Sequence, residues 1–392
     1  MTMTMNQALS NTNPVRQVEW VDYINPTPAP GTFHVVILSD VHLGHGRVPT
    51  RKMIEDLELF LNPDRLKLID FIIITGDLFD QRLPHDSTEA YLISRWMERL
   101  LRACKQYNVA IRILEGTPSH DQRQSQWMVT YNEMTCLGVD LRYYPELSID
   151  ELFPGGPMVL WVPDEVNHDA NRTWLEVQAL MRDRALDKVD FGFMHGFFRF
   201  QAPVETVSSH DEDRYQGIVR HLIVNGHDHT HKVLGIIRIP GSPDRHKHRQ
   251  EEAKGHLQFS FSPEKGVHDE QFIVNHRAVI FTTLDVVGKS YPEVEKLLSS
   301  LEDSPDGSNY RLRLSRSDET YSNFSRLKTR FPHFKLTHDT VEAKKITGAY
   351  ESPVERPILT SIRSDTLSGL VVPRLSNLSP EALKFAEQEL NS

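Results

Sequence analysis

Three histidines fall within five residues in Gly226-His227-Asp228-His229-Thr230-His231. Imidazoles at this density beside a carboxylate have the composition of a metal site. In an extended chain His227 and His229 would point to opposite faces. Gly226 and the polar residues after it favour a turn, which lets both rings face one cavity. Four more stretches carry the same residue types: Asp40-Val41-His42, Gly76-Asp77, Ser119-His120-Asp121 shortly after Gly116, and Met194-His195-Gly196. Singly, each reads as turn chemistry or a hydrogen-bonded histidine. Jointly they make a ligand set for two hard cations. Such ions, about 3.5–4 Å apart, clamp a phosphate and sharpen a water into a nucleophile. A further histidine that is not a ligand can protonate the leaving oxygen.

The elements that must position these residues are short apolar runs. Phe33 to Leu38, Phe71 to Thr75, Val109 to Leu114, Val189 to Met194 and Leu222 to Val224 read as buried strands. Each ends directly before one of the five stretches. Ile54 to Leu61, Ser87 to Gln106 and Thr173 to Leu186 have helical spacing, and Met158 to Val162 is a further strand. Strands alternating with helices predict an α/β fold, whose ligand sites gather at the carboxyl ends of strands. After His231 the runs are β-like without intervening helices.

Composition narrows the chemistry. The 392 residues are 39% hydrophobic and 25% charged, ordinary for a globular protein. No apolar run approaches the roughly 20 residues of a membrane helix. The polar start carries no secretory signal, so a cytoplasmic location and no membrane partner are expected. Cys104 and Cys136 lack CxxC spacing, which leaves imidazole and carboxylate as ligands. Two divalent ions are expected, manganese first, with magnesium, iron or zinc as alternatives. The net charge of −10 argues against a basic coat for nucleic acid, although bound cations and a local basic groove can supply positive field.

The order Asp-x-His, Gly-Asp, a Gly-led His-Asp segment, His, and Gly-His-x-His resembles the calcineurin-like metallophosphoesterases over roughly residues 33–232. The resemblance implies a layered α/β/β/α sandwich followed by a small α+β capping domain. It implies Asp40, His42 and His229 as ligands of a first metal, Asp77 as the bridge, and His195 and His227 as ligands of a second. His120 takes the catalytic position, with Asp121 behind it to orient the ring. One departure stands out. The family pattern reads Gly-Asn-His, whereas this chain reads Gly116-Thr117-Pro118-Ser119-His120, two residues longer and without the asparagine ligand. Ser119, directly before His120, is the positional substitute.

Gly76-Asp77-Leu78-Phe79-Asp80-Gln81-Arg82-Leu83-Pro84 and the later Pro240-Gly241-Ser242-Pro243 and Glu251-Glu252-Ala253-Lys254-Gly255 resemble SbcD-type DNA repair nucleases. This implies a DNA exo/endonuclease that pairs as a homodimer with an SbcC-type coiled-coil ATPase, acting in repair or recombination. Its rivals are a phosphodiesterase of small nucleotides and a binding scaffold with a weakened metal site. His45, Arg245, Lys247 and Arg249 are candidate substrate or DNA contacts. The expected organisation is a leader over 1–31, a phosphoesterase domain over 32–288, a cap over 289–345, and a linker and helix over 346–392 offered for docking a partner.

Overall fold

The computed structural model describes residues 16–19 (backbone only), 31–165, 169–201 and 206–341. The expected docking tail over 346–392 and most of the expected leader lie outside these residues. The chain divides into two compact units, 1–342 and 343–392, and the described residues all belong to the first.

Two mixed sheets form its centre. The first contains β1 (Arg16–Glu19), β2 (Phe33–Leu38), β3 (Phe71–Thr75), β4 (Ala110–Leu114), β5 (Leu141–Tyr144), β12 (Gly255–Ser262) and β13 (Gly266–Val274), in the order β1-β13-β12-β2-β3-β4-β5. Strands β2 to β5 run parallel, and β12 joins antiparallel to β2. The second contains β6 (Ser148–Glu151), β7 (Met158–Val162), β8 (Val189–His195), β9 (Val219–Gly226), β10 (Lys232–Leu234) and β11 (Ile237–Ile239), in the order β10-β11-β9-β8-β7-β6. Here β7, β8 and β9 are parallel neighbours. Within the span expected as a leader, β1 lies parallel to Gln271–Val274.

The apolar runs are unbroken because both faces of each sheet are covered. Val35, Ile37, Phe71 and Ile73 of the first sheet pack against Trp161, Phe191, Phe193, Leu222 and Val224 of the second. Tyr144 and Trp161 stack across this layer at 4.0 Å. On its other face the first sheet turns Val36, Leu38, Ile72 and Ile74 towards α1 (Thr50–Phe60) and α2 (Thr88–Tyr107), whose Leu57, Ile93, Trp96, Met97 and Leu101 are buried. The second sheet packs Leu160, Val162 and Ile223 against Val177 and Met181 of α4 (Ala170–Asp183). The result is the expected α/β/β/α layering. A short helix missed by sequence periodicity, α3 (Gln126–Met134), precedes β5. Its low amphipathicity is the reason: it buries Met128 alone.

Residues 281–340 add a three-stranded parallel sheet, β14 (Phe281–Asp285), β15 (Asn309–Leu314) and β16 (Lys335–Thr340), in that order. It has its own core, including Val294, Leu298, Tyr310, Leu312, Leu327 and Phe331. Arg311 and Arg313 alternate outward and face Asp339 and Asp285 on the neighbouring strands.

A network of charges ties α1 to the segment before β14. The buried Lys52 Nζ lies 2.6 Å from Asp56 and 2.7 Å from Asp244. Asp56 also accepts from Asn275 and Arg277.

Strand β12 buries His256 against the Phe60 ring at 4.8 Å, and neither ring nitrogen has a hydrogen-bond partner among the described residues. Burial pushes its pKa down to about 3. The folded ring stays neutral where an unfolded one, near 6.5, takes a proton. Its stabilising neutrality is therefore complete above about pH 6.5 and is lost as pH falls towards 3, by up to about 1.4 kcal/mol per pH unit. His256→Leu should remove this dependence. Urea unfolding at pH 7.5 and 5.0 should show a drop about 2 kcal/mol smaller in the variant than in the parent.

Candidate metal centre

Every sequence-predicted strand end arrives at one edge of the two sheets. Asp40 and His42 follow β2, Asp77 follows β3, Gly116 to His120 follow β4, His195 closes β8, and His227 and His229 follow β9. Backbone bonds lock the first two loops together, Asp40 N to Gly76 O at 3.1 Å and His42 N to Asp77 O at 3.0 Å. Asp40, His42, Asp77 and His227 all have left-handed backbones, with φ of 51°, 55°, 49° and 81°. Asp and His tolerate that region better than most residues, yet each such position costs on the order of 1–3 kcal/mol. Four strained residues at one edge mark it as a built site. Close approach also needs Gly116 and Gly226. A Cβ on Gly116 would overlap the backbone nitrogen and Oδ1 of Asp77, and one on Gly226 would overlap the His195 ring.

Asp40, His42 and Asp77 form one group able to hold a metal, all three buried. His42 Nε2 lies 3.8 Å from Asp77 Oδ2 and 3.2 Å from His229 Nε2. His229 Nε2 is in turn 3.9 Å from Asp40 Oδ1. The Asp40 carboxylate accepts from His227 N and Ser39 Oγ, which fixes its orientation. Burial lowers the pKa of His229 strongly, reinforced by His42, Lys254 and Lys247, so its ring is neutral and available as a ligand.

Asp77, His195 and His227 form a second group. His195 Nε2 is 3.3 Å from Asp77 Oδ2, and its Nδ1 donates to Thr75 O at 2.7 Å, which orients the ring. Asp77 is thus common to both groups. Burial alone would raise its carboxyl, but the His195, His42 and His120 imidazoles outweigh that and hold it well below the ordinary carboxylate range. A buried anion ringed by imidazoles and a second carboxylate is the donor set of a dinuclear site for ions that accept oxygen and nitrogen.

Ser119 does not join this set. Its side chain is exposed, and its carbonyl accepts from Gln122. The two extra residues bulge outward and leave Thr117 facing the group instead. Thr117 N donates to Asp77 Oδ1 at 2.5 Å, and its Oγ1 lies 3.1 Å from Asp77 Oδ2, 3.3 Å from His195 Nε2 and 3.0 Å from His227 Nδ1.

The role expected of Asp121 is also corrected. It is fully buried and accepts from Phe79 N and Gly116 N, both at 2.8 Å. It ties the β3 and β4 loops together and does not touch the ring of His120. That ring is held by its own Nδ1 against the carbonyl of Asp80 at 2.7 Å and stands edge-on to His42. With Nδ1 engaged, Nε2 is the nitrogen left for proton transfer.

The four candidate substrate residues separate. His45 Nδ1 accepts from the backbone of Arg47 and Val48 and folds its own loop. Arg245 is spent on structure, its guanidinium donating to the carbonyls of Ala278, Val279, Glu251 and Glu252. Lys247 and Arg249 remain exposed, and Lys247 is near enough for its charge to act on His229. His231 belongs to the scaffold, bonded to Ile239 O and stacked on Phe272 at 4.3 Å.

Sequence spacing missed four supports. Asp80 Oδ1 lies 3.2 Å from His42 Nδ1, behind the face that meets the site. His246 is buried with Nδ1 3.3 Å from His229 Nδ1, and Gln250 Nε2 is 3.1 Å from the same atom. In the sequence His246 is visible only as part of a basic run. Lys254, of the Glu-x-x-Lys-Gly stretch, is buried and donates to His229 O and Glu252, both at 2.6 Å. Removing that ammonium should loosen the last loop. Lys254→Met is expected to cost about 2–3 kcal/mol in urea unfolding, the range for a hydrogen-bonded charge, and an unchanged midpoint would exclude this anchoring role.

No family model matches the chain, and no curated protein does. Among solved structures, one crystal structure is similar at 10% identity and a TM-score of 0.37, over 62% of this chain and 99% of that one. The crystal structure of TT1561 of Thermus thermophilus is similar at 13% identity and a TM-score of 0.33, over 54% of this chain and 90% of that one.

Proposed function

We propose that this chain is a divalent-metal-dependent phosphodiesterase, and more narrowly a DNA exo/endonuclease of the SbcD type. The observation that carries the first statement is the shared carboxylate: Asp77 belongs to two of the metal-type groups, and its Oδ2 approaches His42 on one side and His195 on the other. The residues fit two ions. Asp40, His42, His229 and Asp77 would hold one, and Asp77, His195 and His227 the other. When bound, such ions polarise a phosphoryl oxygen and lower the pKa of water.

The protein's own groups supply the rest. His120, anchored through Nδ1, exchanges a proton at Nε2 with the leaving oxygen. Asp80 and Thr75 orient the imidazoles of His42 and His195 from behind. Lys247, whose charge reaches His229, and the exposed Arg249 offer positive charge for a phosphate backbone.

The narrower reading rests on the resemblance of the loops around residues 76–84 and 240–255. We extend it to a homodimer working with a coiled-coil ATPase in DNA repair or recombination, docked through the 358–372 and 380–390 segments. Manganese is the proposed metal.

Asp77→Ala should abolish manganese-dependent hydrolysis of bis-p-nitrophenyl phosphate. His120→Ala should lower kcat by about 10²–10⁴-fold while the bound metal content stays the same. Full activity in purified Asp77→Ala sinks the phosphodiesterase reading. Linear and hairpin DNA run in the same assay separate the finer readings. Turnover of the diester with intact DNA favours small nucleotide substrates over the nuclease.

A further inference from the structure

We propose that Thr117 is a metal ligand, its hydroxyl completing the shell of the second ion where related enzymes would use an asparagine amide. This rests on the two-ion reading above and assigns a donor that neither motif nor spacing identifies.

The geometry is that of a coordination shell. An octahedron with bonds of about 2.1–2.2 Å has neighbouring ligands about 3.0–3.1 Å apart. Thr117 Oγ1 stands 3.0, 3.1 and 3.3 Å from His227 Nδ1, Asp77 Oδ2 and His195 Nε2. Asp77 Oδ2 and His195 Nε2 are themselves 3.3 Å apart. One hydroxyl therefore lies at ligand-to-ligand distance from all three members of the second group.

The residue is also held there by its backbone. Its N–H donates to Asp77 Oδ1, and its carbonyl accepts from His120 N at 2.8 Å and Asp121 N at 3.1 Å. Gly116, before it, donates to the buried Asp121 carboxylate. Pro118, after it, restricts the backbone further. The side chain is thereby aimed into the group, while the inserted Pro118-Ser119 pair turns away.

This donor has a consequence for order of binding. The first ion would be held by Asp40, His42 and His229 with a share of Asp77. The second would have two imidazoles, a neutral hydroxyl and the other share of Asp77. With less negative charge and a weaker oxygen donor, the second position binds last and releases first. Thr117, a weaker donor than an amide, adds to the difference that Asp40 already makes.

Calorimetric titration of the full chain with Mn²⁺, after chelator treatment, tests the assignment without reading activity. The parent should take up two equivalents, the second more weakly. Thr117→Val, which keeps the shape and removes the hydroxyl, should leave the first step intact and weaken the second at least tenfold, the low end of what loss of a supporting partner alone costs. Thr117→Ser should keep both steps, and Ser119→Ala should change neither. An unchanged second step in Thr117→Val, or a weakened one in Ser119→Ala, overturns the role of Thr117. A parent that binds fewer than two equivalents overturns the two-ion reading itself. Retention of the first step in Thr117→Val shows that the variant has folded.

Discussion

The site depends on keeping one carboxylate ionised where water cannot reach it. Asp77 is buried at the joint between the two sheets, and burying an isolated anion is costly. The surrounding structure answers with positive or polarisable partners: the imidazoles of His42 and His195, the N–H and hydroxyl of Thr117, and the ring of His120 nearby. These come from three different strand ends, so no single loop can make the environment alone. Lys52 with Asp56 and Asp244, and Lys254 with Glu252 and His229 O, repeat the principle further out. Charge is taken inside the protein only where a second element supplies its partner, which makes each buried charge a tie between elements.

Much of this was readable from the chain. The five strand ends could be ordered because β2, β3, β4, β8 and β9 are continuous apolar runs, and each stops at a carboxylate, an imidazole or a glycine next to one. Cover on both faces followed from the same runs, since strands without polar alternation need it, while the two-sheet layering was implied by the family resemblance. The placement of Asp40, His42, Asp77, His195, His227 and His229 at one edge required only that the strands be parallel.

What stayed hidden was set by loop conformation. Ser119 and Thr117 are both hydroxyl residues in a short turn, and adjacency to His120 pointed to Ser119, whose side chain is exposed, whereas Thr117 faces Asp77, His195 and His227. Which of them faces inward depends on how Pro118 and the Asp121 carboxylate bend the segment, and no periodicity encodes that. Asp121 looked catalytic by its place beside His120, yet its carboxylate is taken by two backbone N–H groups, one in its own loop and one in the loop after β3. Arg245 looked like a phosphate contact by charge, yet four carbonyls occupy it. Charge and neighbourhood in sequence cannot distinguish a group that reaches solvent from one that stitches backbone together.

The short strand β1 bears on how the molecule is assembled. It lies parallel to Gln271–Val274 and reaches the rest of its sheet only through β13 and β12. On a ribosome the chain emerges from the amino end, so Arg16–Glu19 is exposed long before its partner exists. The first sheet can gather β2 to β5 early, through neighbours close in sequence. Its closure waits until residue 274 has been made, and a contact between residues this far apart in the chain carries a large loop-closure cost and is slow to form. Lys254, which anchors the His229 loop, lies just before β12 in the same late segment. Synthesis therefore finishes the edge of the sheet and the support of the His229 loop together, and a chain cut short of this point would have neither.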